Sequence, residues 1–231
     1  MFKMIFFTHD LILEFLVRYK RHIYLTLLIA DHLILLGLFF PEYAKVFGNL
    51  AINLLIIILF LIPIALLTKS KILIFLLHFR RPLGIAMGYS ALVHGFGFIF
   101  SPQWFKYVFI DNWPASFLNP PFLLLGGLAL IFVIPPLLTS NKVAMIFLGR
   151  KWKKVQCLVY LVFIAAVIHQ QLAETYLLSQ ALLRSLPIIL IYFYLRLSVN
   201  HPQYVPGLPR LINLINQKYL IYQLGKKPAA D

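Results

Sequence analysis

Residues 155–170 read VQCLVYLVFIAAVIHQ. Between Gln156 and His169 every position is Cys, Leu, Val, Tyr, Phe, Ile or Ala, and the apolar run lacks the period-2 alternation of a membrane strand. Extended to 173, it has the ~20 residues a helix needs to cross roughly 30 Å of hydrocarbon. An imidazole inside hydrocarbon is costly unless it is hydrogen-bonded or bound to something, so His169 asks for a partner elsewhere in the chain.

The rest of the chain repeats this pattern. Of 231 residues 61% are hydrophobic and 12% charged, with a mean hydropathy of +0.87, more apolar surface than one soluble core of that size can hide. Windows at 23–40, 48–67, 83–100, 120–139, 155–173 and 177–195 predict six spans. The fold class expected is all-α, a polytopic six-helix transmembrane bundle.

Charge placement orients it. Lys3, Arg18, Lys20 and Arg21 precede the first span, and Lys69, Lys71, Arg80 and Arg81 lie between the second and third. Lys142, Arg150, Lys151, Lys153 and Lys154 lie between the fourth and fifth, and Arg196, Arg210, Lys218, Lys226 and Lys227 follow the sixth. Lys45, Lys106 and Arg184 make up the other side, a division of 18 to 3 that predicts both termini in the cytoplasm. The net charge of +14 is then a topology signal and an attraction to the anionic lipid bilayer, and no nucleic acid partner is expected. The one cysteine, Cys157, has no internal disulfide partner, and neither a zinc spacing nor a nucleotide-binding glycine motif is present.

Residues 1–22 have the acids Asp10 and Glu14 within an apolar stretch and read as an interfacial amphipathic helix rather than a signal peptide. The bundle is expected at 23–197. The tail 198–231 contains LPRLINLINQKYLIYQL (208–224), with Arg210 and Lys218 among apolar residues at helical spacing, a second amphipathic helix. In the first span Asp31 and His32 are adjacent, able to satisfy each other or a backbone carbonyl. The link TKSKILIFLLHFRR (68–81) has basic ends and an apolar middle, as for a segment on the membrane face, and Pro82 suits a first helical turn. Gly84 and Gly88 have the spacing of close helix packing, while Gly95 and Gly97 beside His94 are compatible with a flat macrocycle against the backbone. The loop 101–121 has Trp104 and Trp113, an interfacial belt or a docking surface.

Three histidines fall well inside the spans: His32, His94 and His169. His94 lies about 11 residues, roughly 16 Å, into its span and His169 about 14 residues, roughly 21 Å, into its own. The third and fifth spans run in the same direction, so the two imidazoles can share a level. Facing one another they meet the requirement for bis-histidine haem ligation; hydrogen bonding of each to a neighbouring helix is the alternative.

RRPLGIAMGYSALVH (80–94) and LTSNKVAMIFLGRKWKKVQCLVYLVFIAAVIH (138–169) together resemble the ferric reductase-like transmembrane family, most closely its small MsrQ branch. The matching features are Arg80-Arg81, Leu83-Gly84 and His94, then Thr139-Ser140, Ala144-Met145, Leu148-Gly149, Trp152, Tyr160 and His169, with Pro63 in the second span. The resemblance covers roughly residues 30–195. It implies a haem b held between the third and fifth spans by His94 and His169, in the bacterial inner membrane. Larger relatives stack two haems on two histidines per helix; here the inner positions are Arg80 and Gln156, and Gln156 departs from the histidine typical of that branch. The expectation is therefore one haem, or two if the inner position is ligated, with Arg80 and Gln156 as candidate cofactor contacts. Gln156 can donate to a quinone carbonyl or a haem propionate. Gln156 and His169 are about 140° apart on an ideal helix, so both cannot face one cavity without local unwinding.

The function implied is electron transfer from quinol, or from a cytoplasmic flavin reductase, to a periplasmic molybdopterin methionine sulfoxide reductase catalytic subunit. FMN or quinone is a further cofactor on this reading. Arg80, Arg81, Lys153 and Lys154 form a basic rim suited to propionates or a flavin phosphate. Reduction of ferric iron, copper or oxygen, or a haem-free membrane scaffold, are the alternatives, and fold similarity cannot choose among them.

Overall fold

The computed structural model describes residues 2–111 and 121–200. Among them are six helical segments long and apolar enough to cross a membrane: Ile12–Phe39, Pro41–Thr68, Lys71–Phe100, Pro121–Leu138, Arg150–Thr175 and Leu178–Asn200. The protein is a multi-pass, all-α membrane protein. In hydrocarbon each backbone N–H and C=O must be satisfied within its own segment, which a continuous helix does. The tail helix expected at 208–224 and Trp113 lie outside the described residues.

The first helix, α1, is Phe2–Ile34, followed by a 3-10 turn at Leu35–Phe39. It runs through residue 22 unbroken. RYKRHIY at 18–24 has neither Gly nor Pro, so the polar segment and the apolar one share one helix. Helix α2 is Ala44–Thr68 and ends on Lys69 at φ 53, whose N–H returns to the Ala65 carbonyl. Ser70 caps the short α3, Lys71–Leu76, on the expected basic link. Helix α4, Arg80–Phe100, starts two residues before Pro82, so the missing proline N–H falls among the donors that have no intrahelical partner anyway.

Helix α5 is Pro102–Phe105, and α6 is Pro121–Leu138 with Pro135 and Pro136 in its last turn. Asn141 caps α7, Lys142–Leu148, which ends at Gly149 with φ 49. Helix α8, Arg150–Gln156, passes through a turn at Cys157 into α9, Leu158–Thr175; α10 is Leu178–Asn200.

Two helix pairs dominate the packing: α2 with α4, and α6 with α9. Contact between α4 and α6 joins them, α10 closes over α9 and α2, and α1 lies along the outside of α4. The shared interior holds Leu55, Leu59, Met87, Val133 and Phe163, with Tyr192 ring-packed on Phe60 and Phe163. Large side chains on the outer faces, such as Ile131, Leu183 and Leu190, are more than half exposed, as expected of a lipid-facing surface.

The glycines of α4 divide by their neighbours. A Cβ on Gly88 would lie 2.7 Å from Leu137 of α6, the close packing expected from its spacing, whereas one on Gly84 would meet nothing within 4 Å. Gly84→Ala is therefore expected to raise stability by about 0.5–1 kcal/mol through the helix preference of alanine, read as an increase in the thermal midpoint of the purified chain.

Candidate functional site

His94 of α4 and His169 of α9 come together as the sequence predicts, with ring centroids 6.1 Å apart and planes at 70°. Each is held the same way. The Nδ1 of His94 pairs with the carbonyl of Ala44 at 2.9 Å, and the Nδ1 of His169 pairs with the carbonyl of Phe122 at 2.7 Å. A carbonyl is an acceptor, so both Nδ1 atoms carry the proton and both Nε2 atoms keep a lone pair.

The carbonyls belong to the first turns of α2 and α6, and four residues further along each helix is a glycine. A Cβ on Gly48 would sit 2.6 Å from His94 Nδ1, and one on Gly126 would sit 2.8 Å from His169 Cε1. The two imidazoles thus lie on bare backbone of opposite helix pairs. Sequence reading missed Gly48 and Gly126. The available signal was a glycine four residues after the first turn of a helix, which acquires meaning only when the histidine's neighbouring helix is known.

Gly95 and Gly97 meet neighbouring helices. A Cβ on Gly95 would strike Leu130 at 2.7 Å, and one on Gly97 would strike Ala44 Cβ at 2.8 Å, so both serve helix packing. Asp31 and His32 do not satisfy each other. His32 is exposed, uses Nδ1 on the Leu28 carbonyl at 2.7 Å and sets its ring edge-on to Tyr89, while Asp31 is buried with Oδ2 unpartnered among the described residues.

Arg80 and Gln156 lie at the other, basic end of the bundle, fourteen and thirteen residues respectively, or about 20 Å, along the helices from the histidines. Both line a cavity of about 670 Å³. Gln156 is committed to the end of α6: its Nε2 donates to the Pro136 carbonyl at 3.1 Å and to Thr139 Oγ1 at 3.0 Å. Trp152 Nε1 donates to the Thr139 carbonyl and Arg81 Nε to the Ser140 carbonyl, each at 2.9 Å. These donors from α4 and α8 tie the last turn of α6 and the two residues that follow it to the neighbouring helices, beside the Ser140 hydroxyl, which also donates to the Pro136 carbonyl at 2.7 Å.

Gln156→Leu is expected to cost about 1–2 kcal/mol by removing the two hydrogen bonds of the amide to the α6 end, where the Pro136 carbonyl keeps the Ser140 hydroxyl as donor, read as a lower thermal midpoint.

The described residues contain no group of three or more His, Cys, Asp or Glu able to hold a bare metal ion. A pair of imidazoles suits a metal whose other positions come from elsewhere, as in a porphyrin.

The model of the family described as ferric reductase like transmembrane component matches residues 47–167, from beside Gly48 to two residues before His169. A protein-methionine-sulfoxide reductase heme-binding subunit MsrQ of Agrobacterium fabrum is 33% identical over 99 residues, 43% of this chain and 45% of the relative. The MsrQ subunit of the same description from Brucella anthropi is 31% identical over 122 residues, 53% of this chain and 52% of the relative. That of Brucella ovis is 31% identical over 127 residues, 55% and 54% of the two chains. The chain thus spans about half the length of the curated relatives it matches. No solved structure matches it. With more than half of its length covered by the family model, the chain belongs to the ferric reductase-like transmembrane component family.

Proposed function

We propose that the protein is a haem b electron-transfer subunit of the bacterial inner membrane, with His94 and His169 as the two axial ligands of one haem. The observation that carries the reading is the imidazole pair itself. Metal–imidazole bonds of about 2.0–2.1 Å, plus about 1.1 Å from each nitrogen to its ring centre, call for ring centres about 6.2–6.4 Å apart. The separation here is 6.1 Å, and both rings offer an unprotonated Nε2. When bound, a haem supplies a one-electron couple; the chain provides ligation, orientation and burial. Carbonyl acceptors at Ala44 and Phe122 fix the tautomers and raise the basicity of the ligands.

The 18-to-3 division of basic residues supports an orientation with both termini cytoplasmic and the histidine end outward. Residues 1–22 and the tail 198–231 are assigned to the cytoplasmic interface on their amphipathic composition, flanking the bundle at 23–197. The electrons come from quinol or a cytoplasmic flavin reductase. They leave to a methionine sulfoxide reductase catalytic subunit, the partner suggested by the names of the relatives, which on our reading is periplasmic and carries a molybdopterin. Arg80 is placed at the donor side, on the basic rim. Gln156 is a structural cap there, which favours a single haem.

The test uses the full chain in lipid nanodiscs, reduced with dithionite and freed of excess reductant. Adding the catalytic subunit and methionine sulfoxide together is expected to reoxidise the haem, and neither alone is. Reoxidation by ferric citrate at the same rate without the catalytic subunit would favour a metal reductase instead.

A further inference from the structure

The cavity at the basic end is unlike the histidine end in chemistry. Its mouth is set with His78, Arg80, Arg81, Lys142, Lys153 and Arg196, and among its described lining residues there is neither Asp nor Glu. Arg80 has the Tyr160 hydroxyl near it and is also near enough to Arg196 for the two cations to repel each other. Arg81 spends its Nε on the Ser140 carbonyl, while no acid pairs with Arg80 or Arg196 among the described residues. The floor is hydrocarbon: Leu55, Leu59, Met87, Val133 and Val162 reach into the centre of the bundle. Gathering cations at one mouth costs free energy unless a counter-anion answers them.

The mouth also lies at a definable depth. Lys142 and Met145 of α7 form part of it. The same short helix turns Val143, Ile146 and Phe147 outward, at 77%, 79% and 87% exposure, between Lys142 and Arg150. Apolar residues so exposed beside cations place α7 at the boundary of headgroups and acyl chains, and the cavity opens there. Acidic headgroups are concentrated at that boundary on a cytoplasmic leaflet, and basic pockets between membrane helices on that side bind them.

We propose that this cavity is a binding site for an acidic phospholipid, its phosphate between Arg80 and Arg196 and an acyl chain on the Leu55–Leu59–Met87 floor. Other occupants answer the lining less well. A neutral quinone head leaves the cations unmatched. A second six-coordinate haem needs two imidazoles, and the lining supplies only His78. The bound lipid fills the volume between α2, α4 and α9 and screens the Arg80–Arg196 repulsion. The site is independent of the haem assignment.

The full chain, purified in mild detergent, is offered equimolar phosphatidylglycerol and phosphatidylcholine, and retained molecules are counted by native mass spectrometry. Phosphatidylglycerol is expected to be retained preferentially at one per chain. Arg196→Gln and Lys153→Gln are each expected to weaken that preference about fivefold, corresponding to about 1 kcal/mol for each cation removed. Lys45→Gln, on the opposite side, is expected to leave it unchanged. Unchanged circular dichroism identifies folded variants, and Lys153→Gln serves if Arg196→Gln fails to fold. Equal retention of the two lipids, or full preference in both folded variants, would overturn the proposal. So would recovery of a flavin, a quinone or a second haem at one per chain in place of the lipid. Failure here leaves the absorption of a His94/His169 haem untouched, so the two readings are separable.

Discussion

His94→Ala or His169→Ala is expected to abolish the dithionite-reduced b-type absorption of membranes containing the chain, while the polypeptide remains at its normal level. The effect is large because no substitute ligand stands nearby. His94 and His169 pack on each other, each oriented by a carbonyl and pressed on a glycine, while His32, the third histidine of the spans, is turned to the Leu28 carbonyl and Tyr89. Removing one would leave a haem held by the chain from one side only and would open a void between α4 and α9. Gln156→Ala, about 20 Å away at the basic end, is expected to keep the absorption. Loss of colour in Gln156→Ala but not in His169→Ala would reverse the assignment of the two ends.

The second large effect is expected at the glycines. Gly48→Leu and Gly126→Leu should each lower haem content about tenfold or more, since 1.4 kcal/mol of lost binding already produces that factor. Even the first carbon of the new side chain would lie 2.6 Å from His94 Nδ1 or 2.8 Å from His169 Cε1, so the imidazole must leave its carbonyl and its position. Gly84→Leu is the control: its Cβ meets nothing within 4 Å, and haem content should be retained. The pyridine haemochrome assay on purified protein, normalised to chain concentration, measures all three. Equal haem in Gly48→Leu and wild type would show that the imidazoles do not need their glycine seats.

Much of this architecture is legible in the sequence because hydrocarbon leaves few choices. Runs such as 155–173 can only be helices, and the segregation of Lys and Arg between alternate loops follows from how such helices insert. His94 and His169 stand out for a related reason, since an imidazole amid Val, Ile and Ala is expensive without a bond.

What the sequence leaves hidden depends on neighbours in space. Gly95 and Gly97 sit beside His94 in the chain yet pack on Leu130 and Ala44, whereas Gly48 and Gly126 are distant in sequence and touch the imidazoles. Gln156 reads in the sequence as an amide at the edge of an apolar run, a candidate cofactor contact, but its Nε2 donates to Pro136 and Thr139 at the end of α6. The junction at residue 22 likewise leaves no trace in the backbone, because polarity changes there and helix propensity does not.

The most direct measurement is electron paramagnetic resonance of the oxidised full-length chain, quantified against haem and protein. One low-spin ferric haem per chain, absent from the His94→Ala/His169→Ala double variant, is the expected result, since two nitrogen ligands complete the iron's coordination. A high-spin signal in the wild type, or a low-spin signal that survives the double variant, would contradict ligation by these two histidines.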